Sequence, residues 1–168
     1  AMPGGARLFT RIAIALHALD GLVELREAIA HRRCAAQEAT QRFNRVIAAL
    51  LSLVFEAADI ATDPAISRLL VALFNLMQGK EFAGQERAAG AAAFAAGTTG
   101  RAGEQGLLHL IEAQEACCER FETFCPPDTL ASWRAAQAAM PLAELERLRR
   151  KLIAAGQGTA LAPALAEA

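Results

Sequence analysis

The sequence predicts an all-α protein: an antiparallel helical bundle of about five to six helices with one long central helix (about 63–96). Three observations lead there. The 168-residue chain is 54% hydrophobic yet only 5% aromatic, and Ala dominates alongside Leu, Arg, Glu and Gln, all good helix formers. Its apolar residues recur at three- and four-residue intervals in segment after segment. Tyr is absent, and neither β-alternation nor an Asn-Gly hairpin signal occurs. The length suits one domain, 1–168, with a core of useful size.

Taken in order, residues 1–5, with Pro3-Gly4-Gly5, read as a loose start. From Arg7 the set Phe9, Ile12, Leu16, Leu19 and Val23 follows helical spacing, and Leu22, Leu25 and Ile29 extend it towards His31. Asp20-Gly21 bends or interrupts this helix, because glycine inside a helix is costly. After a break at Arg32–Ala36, a second helix carries Phe43, Val46, Ile47, Leu50, Val54 and Ala58 and ends near Thr62. Asp63-Pro64 is a start signal, a capping acid followed by a proline in the first turn. It opens the long helix to Ala96. Gly97 to Gly103, with three glycines and two threonines, reads as the clearest loop. A fourth helix, Glu104 to Phe124, uses Leu107, Leu108, Ile111, Cys118 and Phe121 and stops at Pro126-Pro127. A short fifth helix holds Leu130, Trp133 and Ala136, with Trp133 expected as a core anchor. Met140-Pro141 opens a sixth, Leu142 to Ile153, closed by Gly156-Gln157-Gly158. Residues 154–168 read as a loose or truncated tail, with Pro163–Ala168 the start of a cut helix.

Several function classes find no support. Net charge is −1, so bulk electrostatics recruits neither nucleic acid nor an anionic membrane, and no direct nucleic acid or membrane partner is expected. The cluster Arg147, Arg149 and Arg150 is offset by Glu144 and Glu146 and reads as a solvated helix face. No apolar run reaches the ~18 residues of a membrane span. His17, His31 and His109 lack metal-ligand spacing, and Cys34, Cys117, Cys118 and Cys125 form no Cys-x-x-Cys word. No nucleophile elbow, phosphate loop or carboxylate pair marks a catalytic centre. A non-enzyme without metal or cofactor, in a reducing cytoplasm, is the expectation.

The informative conflict lies in the long helix. With Leu73 as the centre of an apolar face, Ile66, Leu69, Leu70, Leu73 and Met77 share one stripe. Continued at the same pitch, the stripe meets Lys80, Gly84, Arg87, Ala88, Ala91 and Ala95. Two cations thus stand where the pattern asks for oily side chains, among residues small enough to leave room. Arg87 then either pairs with a carboxylate of a neighbouring helix, snorkels to water, or holds a small anion in a pocket shaped by the small residues. The planar guanidinium fork matches a planar oxyanion. Lys80 lies two turns away, roughly 10 Å along the axis, and adds field rather than direct grip. Gln78, Phe82, Gln85 and Ala89 fall on the opposite face, a contact for a second surface.

The word Phe74-Asn75-Leu76-Met77-Gln78-Gly79-Lys80-Glu81-Phe82-Ala83-Gly84-Gln85-Glu86-Arg87-Ala88 resembles the second-half motif of the NIT domain, the nitrate- and nitrite-sensing helical domain, in the version found in nitrate-responsive transcription antiterminators. Phe43 to Leu51, Phe55 to Asp59, Asp63 to Ile66, Leu130 to Trp133 and Leu142 to Leu148 fit the same pattern. The resemblance implies that Arg87, in the Gln-Glu-Arg word, is a ligand of nitrate or nitrite. That family's earlier half carries a Glu-Arg-Gly word, which this sequence lacks; Glu119-Arg120 and Glu146-Arg147 sit in ordinary amphipathic stretches. The chain therefore resembles the later part of the domain, without the RNA-binding ANTAR module, and a homo-oligomer or the missing other half would complete it.

The function expected on this basis is a regulatory domain that binds nitrate or nitrite through Arg87, with Lys80 and Gly84 beside it, and relays occupancy to an output module such as an RNA-binding antiterminator. Gln78, Phe82 and Gln85 are the expected interface. The alternatives are a ligand-free helical interaction or dimerisation module, and the sensor part of a histidine kinase or chemoreceptor.

Overall fold

The computed structural model describes residues 4–158 and 161. Among these residues every regular element is an α-helix: α1 Gly4–Asp20, α2 Leu22–Ala30, α3 Ala36–Ile60, α4 Pro64–Ala96, α5 Gly100–Phe124, α6 Pro127–Ala138 and α7 Leu142–Gly156. The seventh helix, beyond the five or six expected, arises at Gly21, which separates α1 from α2. None of the described helices is long and apolar enough to cross a membrane. Of the expected loose start at residues 1–5, Gly4 and Gly5 already belong to α1, while residues 1–3 and the cut helix expected at 163–168 lie outside the described residues. Within the expected tail, α7 runs on to Gly156 and Leu161 is buried.

The chain divides into two compact units, residues 1–74 and 75–168. In the first, α1 packs along α3. Arg7, near the start of α1, pairs with the buried Glu56 at 2.8 Å and with Asp59, both near the end of α3, so the two helices run antiparallel. The start of α4 returns along α3: the Ser67 hydroxyl donates to the Ala58 carbonyl at 3.1 Å, and Phe55 meets Phe74 edge to face at 5.7 Å. α2 ends in a left-handed turn at Arg32 (φ 53°), where the Arg33 amide donates back to the Ala28 carbonyl at 2.7 Å and satisfies an orphan acceptor. The Asp63 cap is present as expected, its carboxylate accepting the Ala65 amide at 2.8 Å.

In the second unit α4, α5 and α7 surround a small core of Ala93, Leu107, Leu152, Ala155 and Leu161, with Phe94 packed against it. α4 and α5 are antiparallel, with Gly79 facing Cys117 and Glu86 facing Gln114. α4 and α7 run parallel, with Glu86 beside Arg149 and Gly90 beside Leu152. α6 folds back on α5: Trp133 stacks edge to face on the buried Phe121 at 5.1 Å, and its indole N–H donates to Glu122 at 3.1 Å. That is the anchoring role expected of Trp133. α5 begins four residues before the expected Glu104, because the loop is only Gly97–Thr99 and Arg101 and Ala102 extend the helix over Gly103.

The faces of the helices depart from the sequence pattern. Phe9, Leu16, Leu19 and Val23 of the expected α1 set are exposed, while Ala15 is buried. On α4 the expected core stripe is the outer one: Ile66, Leu69, Leu73 and Met77 are 42–51% exposed. The buried face consists of Ala72, Asn75, Gly79, Glu86, Gly90 and Ala93, roughly 130° away by helical geometry. Small residues allow helices to approach closely, and that closeness, rather than side-chain size, selects the seam. A Cβ on Gly79 would meet Cys117 Cβ at 3.3 Å, and one on Gly90 would meet Leu152 Cδ1 at 3.2 Å.

A candidate anion-binding face on α4

Because α4 turns its small side inward, Lys80 and Arg87 are exposed, not core-facing. This corrects the expected placement, and with it the idea that small neighbours enclose Arg87 in a pocket. Gly84 borders open space, with nothing within 4 Å of where a Cβ would stand. Gln78, Phe82 and Gln85 are half-buried, Ala89 is exposed, and Gln85 donates to Glu81 at 2.8 Å. Among the described residues the Arg87 guanidinium makes no hydrogen bond or ion pair, so its donors stand available.

The buried charge that the sequence led us to seek at Arg87 is found one residue earlier. Glu86 is 7% exposed and sits between α5 and α7. Arg149 grips its carboxylate with two bonds, Nε to Oε1 at 2.7 Å and Nη2 to Oε2 at 2.8 Å. Gln114 Nε2 adds a third at 2.6 Å, and Arg149 Nη1 also reaches Glu146 at 2.9 Å. Burial pushes the Glu86 carboxyl up, but hydrogen bonds from Arg149 and Gln114 and the charge of Arg149 outweigh it and hold the group below its ordinary range. The same bonds with Glu86, against the opposing effect of burial, push the Arg149 guanidinium further up. Arg149 is therefore not part of a solvated face, as its charged neighbours suggested; its side chain is only 12% exposed. The spacing of Leu145, Leu148, Leu152 and Ala155 along α7 held the signal, since it brackets Arg149 on the inward side.

The thiols are unpaired, with Cys117 buried and its thiol pushed up by burial, and no cluster among the described residues has the make-up of a metal site. Two cavities lie apart from Arg87. One, of about 590 Å³, is lined by three glutamates of α5 with Cys118, Thr123 and Arg134, and the other, of about 270 Å³, by alanines of α4, Thr98 and Thr99 of the loop, and Gly103 and Leu107 of α5.

The family profile described as nitrate and nitrite sensing matches residues 1–167. The chain belongs to the nitrate- and nitrite-sensing (NIT) family. It is 42% identical over 141 residues to the nitrate regulatory protein of Klebsiella oxytoca, a match covering 83% of this chain and 35% of that protein. The solved structure of the NasR transcription antiterminator superposes with a TM-score of 0.78 at 42% identity, over 86% of this chain and 39% of that one. The NIT chain thus spans little more than a third of the relatives it matches.

Proposed function

We propose that nitrate or nitrite binds on the outward face of α4 at Arg87, with Gly84 giving clearance and Lys80 raising the local potential. The observation that carries this reading is the free guanidinium: the buried carboxylate beside it in sequence is consumed by Arg149, and Arg87 has no competing acid among the described residues. An anion on an open face remains hydrated and weakly held, so a second helical surface, from another copy or another part of the domain, completes the site. Met77, exposed within the same unit as Arg87, supplies an apolar contact for such a surface. Occupancy would favour one packing of that surface over another and so reach an output module, as the names of the transcription-regulating relatives suggest. Titration calorimetry tests it: nitrate should give saturable heat with the wild-type chain and none with Arg87→Ala, at unchanged helical circular dichroism. Heat that survives the substitution places the anion elsewhere.

The exposed Ile66, Leu69 and Leu73 of the first unit support a second reading, a helical association module that binds no ligand. That module would self-associate equally with and without nitrate in sedimentation, and the wild-type chain would show no calorimetric heat.

A further inference from the structure

We propose that the Glu86–Arg149 pair is an electrostatic positioning device for the Arg87 site: it cancels the charge of Glu86, which would otherwise oppose an anion at Arg87. This rests on the reading of Arg87 given above. Glu86 and Arg87 are consecutive, so their Cα atoms are about 3.8 Å apart and their side chains diverge by about 100°. An exposed Glu86 would set a negative charge beside the site. Instead it is buried and takes two donors from Arg149 and one from Gln114. The charged groups around the carboxylate are Arg149 and, through it, Glu146 at the surface. With Arg149 in place, the charge of Glu86 behind Arg87 is offset; with Arg149 gone it stands unbalanced.

The sign of each substitution follows. Arg149→Met unmasks the Glu86 charge on the adjoining face of the helix and weakens nitrate binding on the order of tenfold. Glu86→Gln leaves Arg149 uncompensated and binds at least as tightly as wild type. The double variant restores the wild-type net charge and affinity. A purely structural pair gives another pattern, with both single variants weaker and the double no better. The experiment is nitrate calorimetry on the full 168-residue chain at pH 8, with circular dichroism as the folding control. The affinity order Glu86→Gln at or above wild type, double near wild type, Arg149→Met weakest supports the inference. Should Arg149→Met fail to fold, Glu86→Gln and the double variant decide: loss of affinity in either overturns it. Equal weakening of all three, or Arg149→Met binding as wild type, also overturns it while leaving the Arg87 reading intact. Absence of heat in the wild type brings down both.

Discussion

At the level of single residues, the unit built around Glu86 turns on one carboxylate with three donors. Its pair with Arg149 is buried, so removing one partner strands a charge where water cannot reach it. Arg149→Met should cost about 3–5 kcal/mol in urea unfolding at pH 7, and the double variant with Glu86→Gln should recover most of that loss. The pH dependence follows from the direction of the Glu86 shift. Its folded value lies below the ordinary 4.5, so the unfolded chain takes up the proton first as pH falls. Its stabilising share is complete above 4.5 and fades as acidity passes through the depressed folded value. Glu86→Gln should flatten that acid limb in thermal melts between neutral and acid pH. By contrast, the exposed Arg147–Glu144 pair at 2.7 Å should contribute little to either measurement.

Among the elements, α4 shows what the sequence displayed and what it concealed. Its ends were legible, because Asp63-Pro64 starts a helix and the glycine after Ala96 stops one; Pro126-Pro127 and Gly158 mark other boundaries equally well. The buried face was not. Hydrophobic periodicity weights large side chains, and Ile66, Leu69, Leu73 and Met77 drew the reading to the outer side, whereas the seam is lined by Ala and Gly around two polar residues. A paired Glu looks like any surface Glu until its partner, 63 positions away, is known. The glycines test the seam. Gly79→Ala should destabilise despite alanine's better helix propensity, because its Cβ would crowd the Cys117 Cβ, close to that helix's backbone. Gly84→Ala, facing open space, should stabilise by roughly 0.5–1 kcal/mol in the same unfolding assay.

For the molecule as a whole, the helical class was written in composition, and the family was written in the Gln85-Glu86-Arg87 word and its flanks. Arg87 was singled out by a stripe argument whose geometry the structure reverses, although the side chain it names is open to an anion. Ligand linkage gives the corresponding measurement. Nitrate should raise the unfolding midpoint saturably, by an amount equivalent to about 2.7 kcal/mol at a hundredfold excess over Kd, while matched chloride should not. The two contacts of α4 on α5, Gly79 with Cys117 and Glu86 with Gln114, carry a last consequence, for the phase of α4. One residue inserted between Gly79 and Glu86 would turn Gly79 by about 100° relative to everything after the insertion, carrying it off Cys117 while Glu86 stays with Gln114 and Arg149. Seven residues would nearly restore the phase but part the two contacts by about 10 Å along the axis, so this stretch of gene must keep its length.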